Sequence, residues 1–86
     1  MSYHSLQTIY KALEIMTCNA ETHAEEFRDQ LRNYTVDTPY NVVAETEQLY
    51  NYWFFTAENY KDAMNEVQEQ LTHIRCKLED SRRKDK

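Results

Sequence analysis

The chain contains no glycine among its 86 residues. Average usage would supply about six, since glycine makes up roughly 7% of protein residues. Dinucleotide-binding fingerprints, phosphate-binding loops, nucleophile elbows and EF-hand loops each need glycine at a fixed place, so the sequence excludes all of them. We therefore expect a protein that is not an enzyme and holds no cofactor.

Proline, cysteine and long apolar runs are also scarce. Pro39 is the one proline, and Cys18 and Cys76 are the two cysteines. No apolar run approaches the ~18 residues of a membrane span, and no basic-then-apolar signal opens the chain. Two cysteines without such a signal are typical of free thiols in a reducing compartment. We expect a single-domain cytoplasmic protein with no membrane contact.

Basic side chains are rare over most of the chain. Residues 1–69 carry four basic and twelve acidic side chains, a net charge of −8, whereas residues 70–86 carry six and three, a net of +3. An acidic body repels nucleic acid, so we do not expect a nucleic-acid partner. The basic residues at the end are those that the negative pole of a helix dipole favours.

A heptad repeat dominates what the sequence does contain. In the second half of the chain, apolar side chains recur at alternating steps of three and four, and Thr46 alone breaks the pattern. This spacing predicts the a/d seam of one long amphipathic helix. The seam comprises Val43, Thr46, Tyr50, Trp53, Ala57, Tyr60, Met64, Val67, Leu71, Ile74 and Leu78.

A similar repeat predicts a first helix. Its e positions are apolar as well, so the stripe is wider than a strict coiled-coil seam and suits a bundle. His23 and Gln30 would be polar seam residues that fix the register. The predicted seam comprises Leu6, Ile9, Leu13, Met16, Ala20, His23, Phe27, Gln30 and Tyr34, with Tyr3, Tyr10, Ala24 and Leu31 at position e.

Pro39 marks the break between the helices. The residue before a proline is disfavoured in the helical region, and Thr38 is a natural N-cap for a helix that begins at Pro39. We predict helix 1 over about residues 3–34, a turn over 35–38, helix 2 over about 39–80 and a basic tail over 81–86. Because the connection is short, the helices should run antiparallel, giving an all-α helical hairpin.

The unequal length of the helices predicts self-association. If the chain reverses at residues 36–37, Leu6 lies opposite residues 67–68 and the end of helix 2 has little of helix 1 to pack on. A monomer would then leave that apolar stretch in water. We predict a homo-oligomer, with a dimer favoured, in which two hairpins form a four-helix bundle. The predicted oligomer seam comprises Val67, Leu71, Ile74 and Leu78.

Tyr52, Phe54 and Phe55 form the predicted partner-binding set. Tyr52 and Phe55 take heptad positions c and f, which point away from the seam, and Phe54 flanks the seam at position e. Aromatic side chains are preferred anchors of binding interfaces. Either a second subunit of the same chain or a different protein would bury them.

His23 is the best candidate for a metal ligand, but its surroundings do not fit. Di-iron helical bundles place a Glu-x-x-His pair on each of two helices. This chain has no such pair, and His23-x-x-Glu26 reverses the order. We therefore predict a core or boundary histidine and no metal site.

An acidic surface on helix 1 supplies an alternative function. It comprises Glu21, Glu25, Glu26 and Asp29. Such a run is ordinarily a solvated helix face. The alternative is a small acidic inhibitor, of a type known among bacteriophage proteins, which imitates nucleic-acid phosphates and blocks a nucleic-acid-binding protein.

The main prediction is a non-catalytic protein–protein interaction or regulatory module. It would associate with itself through the helix 2 seam, and it would engage a macromolecular partner through its aromatic surface. The sequence does not identify that partner.

Overall fold

The protein folds as two long antiparallel helices. A computed structural model describes residues 2–84, and the side chains of residues 2–80. Helix α1 comprises Tyr3–Asn33 and helix α2 comprises Tyr40–Lys84, and residues 2–84 contain no strand. The principal extents are 74 × 16 × 13 Å, so the described chain is a rod two helices wide. The all-helical class and the two-helix hairpin predicted from the sequence are confirmed.

Ser2 begins α1 by capping it. Its backbone is extended, and its hydroxyl accepts a hydrogen bond from the Ser5 N–H at 3.1 Å. This bond satisfies one of the N–H groups that the start of a helix leaves without a partner. The first turn of α1 is therefore closed by a local side chain.

The connection between the helices needs no left-handed residue. Helix α1 ends because Tyr34 is extended, at φ −71° and ψ 146°, and no residue in the range 2–84 has a positive φ. The Thr38 N–H then donates to the Thr35 carbonyl at 3.0 Å, and the Thr38 hydroxyl accepts from the Thr35 N–H at 3.0 Å. Thr38 thus closes the turn, whereas the sequence prediction assigned it to cap α2. A chain without glycine can reverse direction in this way.

Helix α2 contributes the seam that the heptad repeat predicts. Thr46, Ala57 and Leu71 are buried in it, while Leu78 at its far end is exposed. The remaining members are half-buried.

Helix α1 packs on α2 through a seam that matches the predicted one only in part. Four predicted members lie exposed outside it, namely Ile9, Met16, His23 and Gln30. Apart from Glu14 at its edge, which is also half-buried, the observed seam comprises Tyr3, Leu6, Tyr10, Leu13, Thr17, Ala20, Ala24, Phe27, Leu31 and Tyr34.

The cost of burying polar groups explains this rotation of α1. The predicted seam would bury His23 and Gln30, whose polar atoms would lose water without gaining partners. In the observed seam Thr17 is buried instead, and its hydroxyl donates to the Leu13 carbonyl at 2.7 Å. The prediction for the α1 seam is therefore correct at every second member, from Leu6 to Tyr34, and wrong at the four members between them, each of which is replaced by the next residue in the sequence.

Tyr34 and Thr46 join the helices beside the turn. The Thr46 hydroxyl donates to the Val42 carbonyl at 2.9 Å, and it lies 2.8 Å from the Tyr34 hydroxyl. Because the Thr46 hydrogen is already used, Tyr34 is the donor in the second bond. Thr46, the only polar residue of the α2 seam, is thus hydrogen-bonded both within its own helix and to Tyr34 at the end of α1.

The helices pair in a register that covers more of α2 than the sequence predicted. Arg75 donates to the Tyr3 hydroxyl at 3.3 Å, and this bond raises the pKa of the Arg75 guanidinium. Leu6 lines a groove together with Ile74, not with residues 67–68. The register differs because Tyr34 extends the chain beyond the end of α1 before it reverses, so each residue of α1 faces a later residue of α2.

Helix α2 runs past α1 only beyond Arg75. It stays helical through Lys84, where a basic tail had been predicted from residue 81. Residues 85 and 86 of that predicted tail lie outside the described residues. Within residues 2–84, neither helix has a stretch long and apolar enough to cross a membrane.

Candidate interaction surfaces

Aromatic rings surround α2 over the segment Leu49–Phe55. Tyr50 and Trp53 are half-buried in the seam. Tyr52 and Phe55 are each 62% exposed and Phe54 is 42% exposed. The structure places the whole predicted partner-binding set on the surface of α2, but on different sides of the hairpin.

Tyr52 is the first of three side-chain rings in contact, which together extend from α2 to α1. Its ring meets Trp53 edge to face, with centroids 5.2 Å apart. Trp53 in turn stacks on His23 of α1, with centroids 4.4 Å apart and an interplanar angle of 30°. Such pairs are worth about 0.5–1.5 kcal/mol beyond the area they bury. His23 therefore lies outside the seam and packs against an indole ring.

Phe54 and Phe55 belong to a second row of contacting rings, on the opposite side of α2. Phe54 lies 5.9 Å from the seam residue Tyr50 and 5.6 Å from Phe55, between ring centroids. Phe55 meets Phe54 edge to face and points outward. Helix α2 thus carries two exposed aromatic patches, which face in different directions.

A cleft of about 170 Å³ opens beside Phe54. Ala24 of α1 and Ala57 of α2 line it, and because both side chains are small they leave a gap between the helices. Glu21 and Glu25 of α1 line the same cleft. One member of the predicted aromatic set and two members of the predicted acidic surface therefore share one site, which sequence reasoning treated as two alternatives.

The predicted acidic surface is exposed along its whole length. Two of its carboxylates lie near nitrogen-bearing side chains: Glu21 lies 3.9 Å from the ammonium group of Lys61 of α2, and Glu26 lies 3.7 Å from the imidazole of His23. Lys61 also pairs with Glu58 at 3.5 Å. Glu25 and Asp29 complete the surface, so it carries four carboxylates without burying any of them.

The predicted oligomer seam lies mostly inside the hairpin. Leu71 is only 7% exposed, and Val67 and Ile74 are half-buried. Leu78, at 54% exposed, is the one member that α1 leaves open. The inference that this segment lacks cover from α1 is therefore wrong, because of the register described above.

One long edge of the interhelical seam is rich in charge. We call it the charged flank, and six of its nine side chains are formally charged. The ion pair between Lys61 and Glu21 crosses it. The charged flank comprises Gln7, Glu14, Glu21 and Arg28 of α1 with Glu47, Phe54, Lys61, Gln68 and Arg75 of α2.

The opposite edge carries no formal charge when histidine is counted as neutral. We call it the neutral flank, and the contact of His23 with Trp53 crosses it. Several of its apolar side chains are exposed, among them Ile9, Met16 and Leu49. The neutral flank comprises Ile9, Met16, His23 and Gln30 of α1 with Val42, Leu49, Thr56, Ala63 and Gln70 of α2.

Sequence reasoning missed this difference between the flanks. The flanking positions can be read from the sequence only when the seam itself is correct, and the predicted α1 seam included four residues of the neutral flank. A count of polar residues in each candidate seam would have favoured the observed one.

Metal-ligating side chains do not gather in the described part of the chain. No group of three or more His, Cys, Asp or Glu residues there is arranged to hold a metal ion. Cys18 and Cys76 are exposed, one on each helix.

Comparison of the chain with protein-family models, with curated proteins and with solved structures finds no match.

Proposed function

We propose that the protein is a non-catalytic interaction module, which associates with itself and engages a macromolecular partner through the aromatic surface of α2. The carrying observation is the exposure of Tyr52, Phe54 and Phe55 within two turns of one helix. Large apolar side chains clustered in water are typical of interaction sites. Aromatic side chains are also the commonest anchors of binding energy at such sites.

The geometry of the hairpin supports an interface more than a reaction centre. The cleft beside Phe54 is open, and the charged side chains that line it are surface groups. A rigid rod that presents rings in two directions can hold two neighbours at once. This arrangement suits a protein that joins others.

A double substitution tests the aromatic surface. Tyr52→Ser/Phe55→Ser should weaken association or partner capture by roughly 2 kcal/mol or more, the usual cost of truncating an interface anchor. Helicity by circular dichroism should remain close to wild type, because both side chains lie outside the seam. The measurements are sedimentation velocity for association and affinity purification from the native host for partner capture.

A matched control lies one heptad further along α2. Asn59→Ser/Asp62→Ser changes the corresponding positions c and f, which are exposed but not aromatic. It should leave both measurements unchanged. If the aromatic double variant keeps its mass and its partner as the control does, the aromatic surface is not the binding site.

The acidic-inhibitor function remains the second candidate, and one observation favours it. Glu21 and Glu25 lie on the cleft that Phe54 lines, so an acidic and an aromatic group could meet one basic partner there. This function predicts that Glu25→Gln/Asp29→Asn abolishes capture, and that capture falls steeply with added salt. Capture that persists at high salt and in this variant would contradict it.

A further inference from the structure

The cleft beside Phe54 is the size of a single side chain. Its volume of about 170 Å³ is below the roughly 300–1,000 Å³ of pockets that hold small molecules. Ala24 and Ala57, which are both buried, line its base. The rings of Tyr50 and Phe54, with centroids 5.9 Å apart, line its wall. The cleft therefore suits a side chain that projects from a bound protein.

The charged side chains that line the cleft leave it with an excess of one negative charge. Glu21, Glu25 and Glu58 are its three carboxylates, and Arg28 and Lys61 are its two cations. The Lys61 ammonium lies 3.9 Å from Glu21 and 3.5 Å from Glu58, so two carboxylates share this one cation. One further cation would balance the charges of the cleft.

The part of the rod around the cleft is acidic on balance, with all of its basic residues counted. Residues 18–33 of α1 and 44–62 of α2 carry eight acidic and three basic side chains, a net charge of −5. These two segments lie side by side in the hairpin, since Glu21 pairs with Lys61. Their combined charge attracts a basic partner and repels an acidic one.

Size, rings and charge together identify the occupant by its chemistry. We infer that the cleft receives an arginine side chain from a basic segment of the protein partner. An arginine stem packs on apolar surface, its planar guanidinium stacks on aromatic rings, and its N–H groups pair with carboxylates. The cleft offers all three, in its alanine base, its two rings and its carboxylates. The inference rests on the interaction module proposed above and names the chemistry of its partner.

Three synthetic peptides test the chemistry of the occupant. The probe is a short dye-labelled peptide of serine, glycine and spaced arginines, and fluorescence anisotropy measures its binding to the whole chain. Lysine in place of arginine should weaken binding by roughly threefold, because an ammonium group has no planar face to stack on the rings. Citrulline in place of arginine keeps the shape without the charge, and it should abolish binding.

Two double variants of equal charge test the place of binding. Glu25→Gln/Glu58→Gln removes two carboxylates of the cleft and should weaken binding of the arginine peptide by roughly tenfold or more. Glu26→Gln/Glu45→Gln is the matched control, because it removes the same charge at exposed positions that do not line the cleft. The control should weaken binding by no more than about twofold.

Two single variants test the ring and the competing cation. Phe54→Leu keeps apolar surface but removes the ring, and it should weaken binding by roughly threefold, whereas Phe55→Leu, outside the cleft, should leave it unchanged. Arg28→Gln removes a cation that competes for the same carboxylates, so it should tighten binding by roughly threefold. All the substituted positions are exposed, so helicity by circular dichroism should match wild type.

Other results overturn the inference and leave the proposed function to its own test. Equal losses in the two double variants would mean that the peptide responds only to the net charge of the protein. A wild type that does not bind the arginine peptide, or that binds the citrulline peptide as well, would exclude an arginine site. The interaction module itself is decided separately, by partner capture in the Tyr52→Ser/Phe55→Ser variant.

Discussion

The two flanks of the hairpin border the same interhelical seam, but they differ in the charge and polarity of their side chains. The charged flank mixes both signs, and its ion pair between Lys61 and Glu21 is half exposed to solvent. Exposed ion pairs of this kind contribute little to stability, so the charged side chains of this flank interact mainly with solvent. The neutral flank has no charge and several exposed apolar side chains, which water does not favour. A two-helix rod thus distinguishes its sides by charge and by exposed apolar side chains, without any change in backbone structure.

The largest expected effect lies in the seam that separates the flanks. Leu71→Asp should lower the free energy of unfolding by about 3 kcal/mol or more, because it buries a charge without a partner. Thr72→Asp, the exposed neighbour, should change it by no more than about 0.5 kcal/mol. Urea unfolding followed by circular dichroism measures both. Equal effects would mean that Leu71 does not lie in the interhelical seam. The assignment of residues to the two flanks would then be wrong as well.

A smaller effect is expected on the neutral flank. His23→Gln removes the ring that stacks on Trp53 and should lower the free energy of unfolding by about 0.5–1 kcal/mol. His73→Gln makes the same chemical change at an exposed position of α2 and should have a smaller effect. The comparison uses urea unfolding at one protein concentration. A His23 variant as stable as the His73 variant would show that the ring contact contributes nothing to the hairpin.

The smallest effect is expected on the charged flank. Lys61→Gln breaks the pairs with Glu21 and Glu58, both at half-exposed side chains, and should cost no more than about 0.5 kcal/mol. The cost should shrink further in high salt. Lys11→Gln, whose pair with Glu14 lies within α1, is the control for a pair that does not join the helices. If Lys61→Gln cost more than His23→Gln, the charged flank would be the one that holds the helices together.

The fold was largely predictable because its signals are local. The heptad spacing of α2, the break before Pro39 and the absence of glycine all act within a few residues of the chain. The helix count and the α2 seam followed from them. The rotation of α1 did not, because its apolar stripe is wide enough to contain two overlapping seams, and only the pairing with α2 decides which one is buried.

The register was not predictable from the turn signals. It depends on the extended backbone of Tyr34 and on its bond to Thr46, which are tertiary features. Because the register was displaced, Leu71 and Ile74 were assigned to a contact between subunits although they pack within the hairpin. The exposure of Tyr52 and Phe55 did follow from the sequence, since positions c and f face away from the seam of any hairpin.

Trp53 gives the protein its own optical probe. It is the only tryptophan of the chain, so intrinsic fluorescence at the indole band reports a single position. That position is half-buried, borders the neutral flank and touches His23 on one side and Tyr52 on the other. Removal of water from this edge shifts indole emission to shorter wavelength. Binding of any partner that covers this edge can therefore be followed by the fluorescence of the unlabelled protein, with no dye and no engineered cysteine.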